Sequence, residues 1–356
     1  MNPQDTRQQW LDFCDQLKSA ADVLVQPGVP DDDKTQQEGL RYLTRLLRLS
    51  LEKNLEFGDP HKPAFYSLSH ETAKIGNDNP DNYYQNCAVD GRCDYIISGH
   101  RGSVAYMSIE SKAGSFAGGG DMAPTGHIEL ADLAIDEDGK FELIVSATPH
   151  SGNWLPMQAS SDNLLVRQTF NVRQQEQTAQ LSIRCINPPF DEGEVFDLSA
   201  VVPFVSGTAS LFKSWMDVFA RHINQLPPND QAMCVQAGGD PSIYYHNSFW
   251  QLQADEALVI RFTPPKQCRT WNFQLSNYWM ESLDYRFYPI SFNQHTAVQE
   301  TDGSICLVVA HTKPGAQYPN WVDTVGHSSG AMLLRYVEAA DYPPVSTELV
   351  SLASLS

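Results

Sequence analysis

Two arginines lie inside apolar runs, Leu164-Leu165-Val166-Arg167 and Met332-Leu333-Leu334-Arg335. A charge in such a place needs a partner. It would be an internal carboxylate or a ligand, unless strand alternation turns the arginine to the surface, and a guanidinium suits a carboxylate, a sulfate or sugar hydroxyls. An Asn-Trp pair precedes each arginine, Asn153-Trp154 and Asn320-Trp321. Asparagine can fix a loop through its own backbone. Tryptophan can close the end of a sandwich or stack on a ligand. The same pair occurring twice favours a device of the fold. His311 and His327 flank the second pair, and either would serve as a general base, with Asp323 or Glu281 as acid or orienter. These groups are expected to converge with Arg335 at one end of a barrel. The segment from Trp271 to Tyr288 interleaves aromatics with carboxylates and amides, Tyr278, Trp279 and Glu281 among them. Such a mixture lines polar-organic and carbohydrate clefts, and it equally suits strands with one wet face. The candidate ligand-binding set is therefore Arg335, Asn320, Trp321, Trp279, Tyr278 and Arg167.

Other chemistries find less support. His127 and Glu129 share one face of a strand, but a metal site needs a third ligand that the sequence does not name. No metal and no cofactor are expected. The glycine-rich loop Gly114–Gly120 lacks the lysine of a phosphate loop. Gly-x-Ser-x-Gly is absent, which disfavours a serine hydrolase. No Gly-x-Gly-x-x-Gly follows a strand, and strands do not alternate with helices, which disfavours a dinucleotide-binding fold.

The elements holding these residues occur twice. Asp138–Phe170 and Asp302–Tyr336 both run from Asp-Gly through an apolar strand and a proline-containing loop to Asn-Trp, then to a Leu-Leu strand with its arginine. Upstream, Tyr83-Tyr84-Gln85-Asn86 is echoed by Tyr244-Tyr245-His246-Asn247. This pattern reads as an internal duplication of a β module.

The chain has 356 residues, enough for two cores. Its formal charge of −19 repels phosphate backbones and anionic membranes, so neither nucleic acid nor a membrane surface is an expected partner. A small-molecule ligand remains open, and a twofold dimer is the default for an oligomer. The seven cysteines are scattered with no Cys-x-x-Cys. The N-terminus lacks a basic segment followed by an apolar run, and no stretch is apolar enough to span a bilayer. A cytoplasmic location is the resulting expectation.

Short strands between Gly- and Pro-rich turns predict a mainly β protein of tandem sandwich or jelly-roll domains. The expected order is a helical N-terminal segment (1–60), a first β domain (61–200), a helical connector (201–240), a second β domain (241–345) and a loosely held tail (346–356). Helices are predicted over 5–26, 34–56 and 206–226. The second carries a stripe of Leu40, Leu43, Leu46, Leu47 and Leu51. The third buries Leu211, Phe212, Trp215, Val218, Phe219 and Ile223. Asp94–Gly99 and Ser103–Ser108 are predicted to pair as a hairpin, and Pro188-Pro189 to close the first domain.

The second copy resembles a large bacterial family known only as a domain of unknown function. The resemblance rests on Asp302-Gly303, Lys313-Pro314-Gly315, Asn320-Trp321 and Leu334-Arg335-Tyr336, with Phe273–Met280 a looser match, and covers roughly residues 245–338. Val322-Asp323 stand where the family prefers Leu-Pro. The resemblance implies jelly-roll or sandwich domains with helical additions, and it carries no substrate. The reading is a metal-independent enzyme acting on a small polar or carbohydrate-like molecule. The alternatives are a noncatalytic small-ligand-binding protein and a structural or interaction protein.

Overall fold

The structure is a computed structural model that describes residues 2–118, 121–188 and 197–356. Sixteen strands among these residues form four sheets of four. In the first half the strands are β1 (Asn82–Ala88), β2 (Tyr95–His100), β3 (Tyr106–Lys112), β4 (Pro124–Glu129), β5 (Lys140–Ser146), β6 (Trp154–Pro156), β7 (Asn163–Thr169) and β8 (Gln180–Cys185). In the second they are β9 (Ile243–Gln251), β10 (Glu256–Phe262), β11 (Thr270–Leu275), β12 (Ser291–Asn293), β13 (Ile305–Ala310), β14 (Trp321–Asp323), β15 (Ser329–Val337) and β16 (Ser346–Ser351). The sheets are ordered β1-β7-β3-β4 and β6-β5-β2-β8 in the first half, β9-β15-β11-β12 and β14-β13-β10-β16 in the second. Taken in chain order, the two halves have the same topology. Even the parallel pairings β5 with β6 and β13 with β14 recur. The expected tandem sandwich architecture and its duplication are both present.

Each half has its own core. Met107, Ile109, Leu164 and Val166 point into the first; Phe273, Leu275, Met332 and Leu334 point into the second. Strand alternation therefore turns Ser108, Glu110, Leu165 and Arg167 to the other face of β3 and β7. Asn272, Gln274, Leu333 and Arg335 take the same place on β11 and β15. Those faces look across to the opposite half, as the bonds Ser108 to Asp240 and Asn272 to Asn79 attest. Buried on both sides, β3, β11 and β13 are enclosed along their whole length and show no wet face.

The helices wrap this junction. They are α1 (Pro3–Leu17), α2 (Asp33–Leu51), α3 (Val201–Phe219) and the short α4 (Gln231–Gln236). Asn2 and Asp32 cap α1 and α2 by accepting from backbone N–H groups of the first turn. Tyr42, Leu46 and Leu49 of α2 are fully enclosed, whereas Leu40 of the expected stripe is 60% exposed. The buried arc follows spacings of four and three but is turned toward α3 and Trp279. On α3 the buried arc is Phe204, Val205, Ala209, Phe212 and Met216, and Val218 is exposed. Trp215, Val218 and Phe219 instead wall the interdomain cavity.

Two further expectations change. The predicted hairpin does not form, because β2 pairs with β5 and β8 while β3 pairs with β4 and β7. The intervening loop carries the chain from one sheet to the other. The tail is not loose: β16 pairs along β10, and Leu355 is buried beside Ala257 and Val308. It is the counterpart of β8. Part of the glycine-rich loop, Gly119-Gly120, and Pro189 lie outside the described residues.

Candidate functional site

A cavity of about 370 Å³ lies between the halves. β1 and β7 line it from one side, β9 and β15 from the other, and α3, α4 and the loop before β1 complete the wall. Its lining contains the duplication in register. Tyr84 faces Arg167 and Asn86 faces Leu165 across β1 and β7. Tyr245 faces Arg335 and Asn247 faces Leu333 across β9 and β15. All eight residues line the cavity. The walls between are apolar, with Leu68, Ile75, Phe116, Trp215, Phe219 and Met280. Exposed Val218 and Met233 stand at the rim.

The two arginines are held in parallel ways. Arg167 Nη1 donates to Glu110 Oε2 at 2.7 Å, and its Nη2 donates to the Gly238 carbonyl at 2.7 Å. Arg335 Nη1 donates to Gln274 Oε1 at 2.6 Å, and its Nη2 to the Asn77 carbonyl at 2.6 Å. Each arginine reaches the loop that precedes the first strand of the other half. The left-handed φ of Asn77, 57°, shapes the turn at which its carbonyl meets Arg335, a conformation asparagine tolerates. The backbone N–H of Asn79 donates to the Tyr84 hydroxyl, and that of Asp240 to the Tyr245 hydroxyl, both at 2.9 Å.

The electrostatics of the two centres differ. Lys112, fully enclosed, lies 2.8 Å from Glu110, and Arg167 is 3.6 Å from Asp240. Burial opposes the charge on Arg167, but Glu110 and then Asp240 outweigh it and hold the guanidinium above its ordinary value. Burial would raise the Glu110 carboxyl, yet Arg167 and Lys112 hold it down to about 2. His127 lies beside Glu110 and Glu129, at 3.5 and 3.4 Å. Burial lowers the imidazole, and the nearby Glu110 carboxylate with the pull of Asp240 reverses this, so it is raised. Around Arg335 no carboxylate lies within ion-pair distance among the described residues. Burial lowers this guanidinium, and Tyr84, Tyr245, Asp78 and Asp81 act on it without overcoming that.

Glu110, His127 and Asp240 are close enough together to hold a cation. Arg167 and Lys112, already seated against the same carboxylates, make the position electrostatically poor for a metal ion.

Comparisons with known proteins place the chain. Residues 245–341 match the family model described as protein of unknown function (DUF1214). A crystal structure of an uncharacterised protein from Burkholderia cenocepacia is 46% identical, covers 98% of each chain and superposes with a TM-score of 0.94. The chain belongs to the DUF1214 family. A much more distant likeness is the VPA0106 protein from Vibrio parahaemolyticus, 11% identical over 94% of this chain and 100% of that one, with a TM-score of 0.49. Among curated proteins none matches. The family segment contains Tyr245, Asn272, Gln274 and Arg335 of the second centre, whereas Asn77 and Asn79 of that centre and Glu110, Arg167 and Asp240 of the first lie outside it.

Of the residues singled out in the sequence, Arg167 and Arg335 line the cavity and the others do not. Asn320 ties its loop to strand backbone: Nδ2 donates to the carbonyls of Val298 and Cys306, and Oδ1 accepts from Val298 N–H. Asn153 does the same with Ala134 and Glu142. Trp321 and Trp154 each donate their indole N–H to a strand-end carbonyl, Ala310 and Ser146. The Asn-Trp pair thus serves the fold in both halves. His311 Nδ1 bonds the Thr324 hydroxyl, and His327 bonds the Thr324 carbonyl and Glu38. Asp323 accepts from Val325 N–H. Tyr278, Trp279 and Glu281 dock the N-terminal helices: the Tyr278 hydroxyl donates to Gly28, the Trp279 indole to Thr35, and Arg45 pairs with Glu281 at 2.5 Å. Gly39 admits the Trp279 ring, since a Cβ there would lie 2.6 Å from it. Glu110, Gln274, Asn77, Asn79 and Asp240 were not singled out. The repeated Tyr-x-Asn of β1 and β9 was the available signal, but register is needed to connect it to the arginines.

Proposed function

We propose that this protein binds a small amphipathic organic molecule in the cavity between its two β domains. The observation that carries this reading is the cavity lining: equivalent Tyr, Asn and Arg residues from both halves converge on a chamber whose exposed surface is mostly apolar. Few convergent polar groups in an apolar concavity are the usual make-up of a ligand site. At about 30 Å³ per water-sized unit, the space suits on the order of a dozen non-hydrogen atoms. An enzymatic reading has less behind it. His311, His327, Asp323 and Glu281 are engaged elsewhere, and the Cys234 thiol in the lining is pushed up to about 11 by burial, away from a reactive thiolate.

The test is to fill the chamber. Leu165→Trp and Leu333→Trp each place a large ring in it. Native mass spectrometry of the purified wild type should detect a bound small molecule, or thermal shifts should appear with amphipathic probes. Both signals should fall in the two variants. Unchanged probe binding in both correctly folded variants would refute the site.

A further inference from the structure

We infer that the ligand carries a carboxylate, that it seats this group on Arg335 and not on Arg167, and that Gln274 and Asn79 set the preference. This rests on the cavity reading above and names the class of molecule the cavity takes.

The argument comes from position-by-position equivalence. Across β3 and β7, Glu110 faces Leu165; across β11 and β15, Gln274 faces Leu333. Glu129 faces Ser108 as Asn293 faces Asn272. Asp240 and Asn79 make the same backbone bond to the tyrosines of their own halves. The two carboxylates at Arg167, Glu110 and Asp240, are thus amides at Arg335, Gln274 and Asn79, and one strand further out Glu129 is Asn293. The shell keeps its shape and loses the carboxylates at ion-pair distance. Lys112 and His127 of the first centre have serine equivalents, Ser276 and Ser291. In the first centre Glu110 and Asp240 balance Arg167 and Lys112, while Arg335, only 5% exposed, has no carboxylate within ion-pair distance among the described residues, Asp78 and Asp81 lying farther off.

Arg335 has five N–H donors. Both on Nη1 are donated, to Asn272 Oδ1 and Gln274 Oε1, and one on Nη2 goes to the Asn77 carbonyl. Nε–H and the second Nη2 hydrogen remain for an acceptor. Asp78, also in the lining, accepts from the Ser282 amide and hydroxyl and neighbours Lys74, so its charge is already engaged. A buried cation without a counter-ion is costly, and an anionic ligand removes that cost. The mostly apolar walls, with Leu68, Ile75, Phe116, Trp215 and Phe219, favour hydrocarbon or aromatic groups in the rest of the molecule. An amphipathic monocarboxylate meets both demands.

The experiment measures octanoate, octanamide and octanol, which share one chain length, by calorimetry against wild type, Gln274→Glu and Leu333→Trp. Wild type should bind octanoate about tenfold or more tighter than either neutral probe, the value of one charge-assisted hydrogen bond. Gln274→Glu rebuilds the pair present at Glu110 and Arg167; it should erase that preference while raising the ligand-free melting temperature. Asn79→Asp, the counterpart of Asp240, repeats the test if Gln274→Glu fails to fold. Equal affinity for the three probes in wild type, or octanoate binding untouched by the new carboxylate, overturns the carboxylate inference and leaves the cavity reading standing. Probe binding that survives in Leu333→Trp overturns the cavity reading itself. No binding of octanoate at millimolar concentration overturns the proposed class.

Discussion

Glu110→Gln tests the charge arrangement at the first centre most directly. Glu110 is fully enclosed and accepts from Arg167 at 2.7 Å and Lys112 at 2.8 Å. The substitution keeps the side-chain shape and leaves two buried cations with Asp240 as their nearest acid. Breaking a buried pair from one side costs about 3–5 kcal/mol. A second route gives a similar figure. The carboxyl is held down to about 2 against an ordinary 4.5; at about 1.4 kcal/mol per pH unit this interval amounts to roughly 3 kcal/mol. Because the folded value is depressed, the stabilisation is fully present above pH 4.5 and is lost as pH falls toward 2. The assay is thermal unfolding of wild type and Glu110→Gln from pH 7 downward. At pH 7 the variant should melt roughly 10 °C lower, and the gap should narrow on acidification below pH 4.5. Lys112→Met should shrink the cost of Glu110→Gln, since one of the stranded cations is gone; a double-mutant cycle reads this coupling. A variant within about 1 kcal/mol of wild type at pH 7, or a gap that widens in acid, would refute the reasoning.

Other outcomes follow from the same structure. Asn320→Ala should cost about 2–4 kcal/mol in denaturant unfolding, because it leaves buried and half-buried carbonyls and an N–H of a strand connection unpaired, whereas Asn153→Ala, whose partners are exposed to water, should cost less; a neutral effect at Asn320 would remove its role as a fold tie. Removing residues 346–356 strips β16 from β10 and uncovers Ala257 and Val308, so the truncated chain should aggregate or lose its cooperative melt; normal melting of the soluble truncation would count against this. Asp81 is pushed up to about 6 by burial, against the pull of Asn293, Arg173 and Arg335. With a raised folded value, its contribution is present below pH 3.8 and lost as pH rises through about 6. Asp81→Asn should therefore melt above wild type at pH 7, with the difference vanishing near pH 4, and pH-independent melting differences would contradict the assignment.

The sequence by itself determined the local architecture. Apolar runs between Asp-Gly and Pro-rich turns marked out strands such as β13. The repeated Asn-Trp and Leu-Leu-Arg phrases fixed the duplication, because a fold device used twice leaves the same residues at the same places. The faces of helices were less legible. A helical period says which residues share a stripe, not what that stripe meets, so Trp215, Val218 and Phe219 read as core although they wall a chamber. Sheet membership was hidden for the same reason: adjacent strands β2 and β3 part to opposite sheets, and only pairing energetics across the whole half decide that. Trp279 and Glu281 carried the composition of a cleft, yet their partners Thr35 and Arg45 lie far away in the chain. The contrast between Arg167 and Arg335 was the least legible of all. Both arginines sit in the same phrase, and what separates them, Glu110 against Gln274 and Asp240 against Asn79, is supplied by other strands and by the opposite half. Burial and countercharge are properties of the assembled fold, and only the tertiary structure decides which of two identical guanidinium groups is left without a carboxylate at ion-pair distance.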